Sequence, residues 1–88
     1  MNFMDYMPLF GTSRSYVATR ASVMTEARMR WLLRGEHRAR FVEAGALVLH
    51  ANQWYANPDL LDAELLRLAE ESARRAVHDR TGHVDITR

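Results

Sequence analysis

The stretch Thr25-Glu26-Ala27-Arg28-Met29-Arg30-Trp31-Leu32-Leu33-Arg34-Gly35 decides the fold of this 88-residue chain. Thr25 is a residue type whose hydroxyl accepts from the first free amides of a helix, and Glu26 suits the positive end of the helix dipole. Gly35 suits the position that ends a helix. At about 100° per residue, Met29, Leu32 and Leu33 cluster on one side. The opposite side carries Ala27, Arg30, Trp31 and Arg34, with Arg28 on the flank. The spacing predicts an amphipathic helix from Thr25 to Arg34 whose apolar side enters a core.

Upstream, Ser13 to Ala21 reads as a short helix with Thr12 or Ser13 as N-cap and with Tyr16, Val17 and Ala21 at helical spacing. Ser22-Val23-Met24 separates it from the next helix. Residues 1–12 read as an irregular arm, punctuated by Pro8 and Gly11-Thr12, with Phe3, Tyr6, Leu9 and Phe10 able to pack on the body. Downstream, residues 36–45 read as a charged connection with room for one helical turn. The period then changes. Ala46 to His50 and Gln53 to Ala56 are β-prone runs around Ala51-Asn52, which predicts a hairpin without the favoured Asn-Gly turn. Trp54 and Tyr55 alternate across the second strand, one toward the core and one toward solvent. Asn57-Pro58-Asp59 opens a last helix, with Pro58 near its first position. Leu60 to about Arg80 has no breaker until Thr81-Gly82.

The element order is helix, short turn, helix, hairpin, helix. It predicts a mainly α fold with a β-hairpin: a winged helix-turn-helix followed by a long C-terminal helix. The expected organisation is an arm (1–12), the winged unit (13–60), the C-terminal helix (61–80) and a tail (81–88).

Composition narrows the function. Apolar residues at 48% and charged residues at 26% suit a folded domain. A chain this short buries only about 60–65% of its unfolded surface, so dimerisation is an ordinary way to gain core. The absence of cysteine excludes disulfides and thiolate metal sites and fits a cytoplasmic protein. No apolar run reaches the roughly 18–20 residues that span a bilayer. Met1 to Phe10 has no basic residue, so neither a signal nor a transit peptide is expected. Residues 1–45 hold seven arginines against four acids, whereas residues 46–88 hold five against seven. That asymmetry implies a polyanion-facing front. Every Lys or Arg position is arginine, the better bidentate donor to phosphate or guanine, although a GC-rich genome has the same effect.

On the predicted second helix, Arg28, Arg30 and Arg34 beside the small Ala27 suit a major-groove surface. The same stripe equally suits the solvated face of a short helix. Arg14, Arg38 and Arg40 extend the positive surface and would position rather than specify. His37, His50, His78 and His83 are dispersed. His78 and His83, with Asp79 and Asp85, are the only weak metal grouping. Phosphate-binding glycine loops, His-Glu-x-x-His and nucleophile-elbow patterns are missing. No enzyme, cofactor or resident metal is expected.

The segment Val23 to Leu33, then Ala44-Gly45-Ala46-Leu47-Val48, Trp54-Tyr55 and Pro58-Asp59-Leu60-Leu61, resembles small excisionase-like and AlpA-like winged helix-turn-helix proteins of prophages and integrative elements. The resemblance spans Ser15 to about Leu66. It implies double-stranded DNA as partner and a role in transcription regulation or recombination directionality. It also implies Thr25, Arg28, Arg30, Trp31 and Arg34 as recognition residues and Asn52 and Gln53 as the wing tip. The tip His50-Ala51-Asn52-Gln53 departs from the family's basic, glycine-containing wings. The last helix also runs on beyond the family's usual end.

That helix is acidic first (Asp59, Asp62, Glu64, Glu70, Glu71) and basic later (Arg74, Arg75, Arg80). It carries two apolar rows, Leu61/Leu65/Leu68 and Leu66/Ala69/Ala73/Val77. One row closes the core. The other is expected at a homodimer seam, with acidic halves against basic halves. The rival reading is a protein-interaction module, an adaptor or phage-encoded inhibitor that uses this helix.

Overall fold

The computed structural model describes residues 2–87, with side chains placed from Asn2 to His78. It is mostly helical, with a small three-stranded antiparallel sheet and a long C-terminal helix.

Helix α2 spans Glu26–Arg34, and Thr25 caps it as expected: its Oγ1 accepts the Arg28 amide at 3.1 Å. Met29 and Leu32 are buried and Leu33 half-buried, so the apolar side enters the core. Helix α1 is shorter than its sequence suggested, at Tyr16–Thr19. Its cap is Ser15 rather than Thr12 or Ser13, with Oγ accepting the Ala18 amide at 3.2 Å. Thr12 instead closes a turn, its carbonyl accepting the Ser15 amide at 3.1 Å. The helix stops because Thr19 turns its hydroxyl back on the Tyr16 carbonyl and Arg20 leaves helical dihedrals. Ala21 therefore falls in the turn.

The connection after α2 is a full helix, α3, at His37–Glu43. Phe41 lies on it at 0% exposure. Gly45 ends it at φ +78°, the left-handed conformation that a side chain resists. The Ala46 amide bonds the Phe41 carbonyl at 2.9 Å and the Gly45 amide the Val42 carbonyl at 3.0 Å, a Schellman closure. Gly45 is thus the end of a helix as well as the approach to a strand.

Strands β2 (Leu47–His50) and β3 (Gln53–Ala56) pair antiparallel, with Leu47 opposite Ala56 and His50 opposite Gln53. Ala51 and Asn52 both have positive φ, 52° and 63°, as a two-residue type I′ turn requires. Ala51 has no glycine-like freedom there, so the hairpin tip carries backbone strain of about 1 kcal/mol.

The N-terminal arm is not irregular. After one 3₁₀ turn (Phe3–Asp5), strand β1 (Met7–Pro8) joins β3 with Met7 opposite Ala56, giving the sheet order β1-β3-β2. Pro8 is tolerated because β1 is an edge. Leu9 is fully buried and bonds the Trp54 carbonyl through its amide at 3.0 Å. Trp54 packs against the core, whereas the Tyr55 ring lies tilted against Phe3 and edge-on to His50.

Helix α4 runs Pro58–Thr87, longer than the expected 61–80. Asn57 Oδ1 accepts the Leu60 amide at 3.1 Å at its start. The backbone stays helical through Thr81-Gly82, because neither residue forces a stop without a following proline or capping turn. The side chains of Asp79, Arg80, His83 and Asp85 lie outside the described ones. The same holds for the metal grouping proposed for His78, Asp79, His83 and Asp85.

Two polar ties fasten α4 to the body. Asp62 accepts the Tyr16 hydroxyl and both ends of the Arg20 guanidinium, at 2.9 and 2.8 Å. The Arg20 hydrogen bond holds the Asp62 carboxyl below its usual range. Burial first, and Asp62 second, push the Tyr16 phenol up. Arg40 of α3 bonds Glu64 at 2.9 Å and Glu71 at 3.3 Å. Glu64 is only 5% exposed and is also bonded by Arg67.

Candidate functional site

The exposed side of α2 follows directly from the burial of the other. Met29 and Leu32 fill the core, which leaves Ala27, Arg30, Trp31 and Arg34 outward. The hairpin tip and the end of β1 stand opposite. Between them lies a cleft of about 720 Å³, lined by Ala27, Arg30, Leu33 and Arg34 of α2, by Asn52, Gln53 and Trp54 of the hairpin, and by Pro8, Phe10 and Gly11. Among the described residues, Arg30 and Arg34 are the only charged ones of that wall.

Arg30 is held in place. Its Nε donates to Glu26 Oε2 at 2.9 Å, and its guanidinium sits 4.3 Å above the Phe10 ring centre. An exposed pair of this kind contributes little stability, about 0.5 kcal/mol. The guanidinium thus lies between Glu26 and the Phe10 ring at the cleft wall. Arg34 has no ion-pair partner among the described residues. It lies in the last turn of α2 and also borders a second hollow of about 640 Å³, with Trp31, Gly35, Glu36 and His37.

The structure therefore brings Arg30, Arg34, Asn52 and Gln53 around one cleft. The other sequence-selected residues stand elsewhere. Thr25 spends its hydroxyl on the helix cap. Arg28 lies 4.9 Å over the Trp31 ring, on the flank. Trp31 is 52% exposed and faces the second hollow, near the His37 ring at 6.5 Å. Arg38 is exposed on α3. Arg40 is turned toward α4, where Glu64 and Glu71 engage its guanidinium. Glu64 and Glu71 lie on the acidic half of α4, within reach of this one side chain, and charge-assisted hydrogen bonds hold it there.

Of the two apolar rows of α4, Leu61/Leu65/Leu68 closes the core: Leu61 is fully buried and Leu65 and Leu68 pack against it. Leu66, Ala69, Ala73 and Val77 are exposed. Sequence reasoning missed Pro8, Phe10 and Gly11 as cleft residues. Only the pairing of β1 with β3 brings them there, and a two-residue strand containing proline leaves no periodic signal.

The placement of Arg40 makes a discriminating prediction. Arg40→Ala should lower thermal stability, by leaving the buried Glu64 with one partner, while changing duplex affinity by less than about threefold. Thermal melts and binding on the same preparation check it. A large affinity loss with unchanged melting would assign Arg40 back to the nucleic-acid surface.

Among the described residues, no helix is long and apolar enough to cross a membrane. No family model matches the chain, and no curated protein or solved structure shows significant similarity to it.

Proposed function

We propose that the chain binds double-stranded DNA, with α1 and α2 acting as a helix-turn-helix and β2–β3 as its wing. The observation that carries this reading is the cleft between α2 and the hairpin tip, whose only charged wall residues, among those described, are Arg30 and Arg34. In this reading α2 enters the major groove. Ala27 lets the backbone approach, Arg30 and Arg34 meet guanine edges or phosphates, and Asn52 and Gln53 contact the flanking backbone. The likeness of Val23 to Leu33 and of Ala44 to Val48 to excisionase-like and AlpA-like proteins supports it. So does the positive excess of residues 1–45. The role is that of a small transcription regulator or recombination directionality factor. Arg28 and Arg38, both exposed, add phosphate contacts at the edges.

The test is selection of duplexes from a random pool, followed by binding of the selected site at about 50 and 200 mM salt against nonspecific competitor. About four arginine–phosphate contacts predict a log–log salt slope near −3.6, a loss of roughly 150-fold across that range. No competitor-resistant complex from folded protein at either salt would overturn the proposal. A protein partner for the exposed face of α4 would then become the leading reading.

A further inference from the structure

Helix α4 is too long for the body it closes. Its 30 residues span about 45 Å at 1.5 Å each, and the molecule measures 53 × 25 × 21 Å. Leu61, Leu65 and Leu68 face the body. Roughly 140° around the helix, Leu66, Glu70, Ala73 and Val77 form a stripe at spacings of four, three and four residues. All four are exposed, Leu66 at 60% and Val77 at 61%.

We infer that this stripe is the seam of an antiparallel homodimer, in which Glu70 of each copy meets Arg74 of the other. Three observations fix the partner as a second copy. The first is self-complementarity. A two-fold axis between Glu71 and Ser72 sets Leu66 against Val77 of the partner subunit and Val77 against Leu66 of the partner subunit. An isologous contact requires that reciprocity.

The second observation is charge. The same axis brings Glu70 level with Arg74 of the partner subunit, within one helical residue, on the same flank of the seam. Among the described residues neither Glu70 nor Arg74 lies within ion-pair distance of a partner in its own chain. A parallel pairing would set Glu70 against Glu70 and Arg74 against Arg74. The third is size. The opposite flank of the seam carries Ala69 and Ala76, small side chains that let the helix backbones approach.

A consequence rests on the DNA reading above. In this register the two Leu61 anchors are separated by about 21 helical residues, or roughly 32 Å along the axis. Dimeric helix-turn-helix proteins meet half-sites about 34 Å apart, one turn of the duplex.

The experiment is sedimentation equilibrium of the full chain without DNA, from about 10 to 500 µM, so its outcome is independent of DNA binding. The expected result is a mass rising from 10.2 kDa toward twice that value. Glu70→Arg and Arg74→Glu should each weaken dimerisation about tenfold, and the two together should restore it. Leu66→Glu, exposed and therefore neutral for folding by circular dichroism, should leave a monomer. A wild-type mass fixed at the monomer value throughout would overturn the inference. A dimer insensitive to Leu66→Glu, or a double charge swap that fails to restore association, would overturn the seam and its direction. If the dimer forms but no duplex is bound, only the spacing argument falls.

Discussion

Replacing Phe41 by alanine is expected to cost about 3–5 kcal/mol of unfolding free energy. Phe41 has 0% exposure and sits where α3 meets the core. The phenyl ring also stacks near the His37 ring, with centres 6.4 Å apart. Its carbonyl accepts the Ala46 amide in the turn that launches β2. A cavity here loosens the helix and the start of the hairpin together. A chain of this length has about 4–13 kcal/mol in total. The loss is thus about a quarter or more of the stability, and the melting temperature should fall by about 20 °C. Thermal and denaturant unfolding of the variant measure it. A loss below about 1 kcal/mol would mean that α3 is not packed as described.

The second large effect concerns binding. The double variant Arg30→Ala, Arg34→Ala should lose about 4 kcal/mol of duplex affinity, near 1000-fold, at about 2 kcal/mol for each arginine. Both side chains are exposed, so the fold should persist. Among the described residues, the contacts removed are the Glu26 pair and the cation–π contact with Phe10, at a cost of about 1 kcal/mol. Fluorescence anisotropy on a selected duplex reads the change. Circular dichroism confirms folding. A loss under about fivefold would remove the α2 face from the interface.

How far the sequence reached depends on where each signal is local. The α2 helix was legible because its cap, its period and its terminal glycine all lie within eleven residues. The hairpin was legible from the change of period, although Ala51 and Asn52 hid the turn type by adopting positive φ without glycine. The α3 helix was obscured because Phe41 is its only fully buried residue and its neighbours Arg38, Arg40 and Glu43 mimic a solvated linker. Gly45 ends that helix just before a strand, and the strand alone was read. The partnership of β1 with β3 was illegible for a different reason. It joins residues about fifty apart in sequence, and nothing near Met7-Pro8 announces it. Arg40 shows the same limit in charge. A cation's identity is local, but the acid it meets is not, and Glu64 and Glu71 lie on another helix. Of the candidate site, Arg30, Arg34, Asn52 and Gln53 were named from sequence. The floor between them, Phe10 and Gly11, came only with the sheet.

In the proposed DNA complex, the cleft between α2 and the hairpin tip receives the backbone of the duplex. Backbone amide NMR during titration with a selected duplex tests this most directly. The predicted result is that shifts concentrate on Ala27, Arg30 and Arg34, on Ala51 to Gln53, and on Gly11, with α4 beyond Leu68 nearly unchanged. Shifts confined to α4, or spread evenly with no saturation, would contradict it.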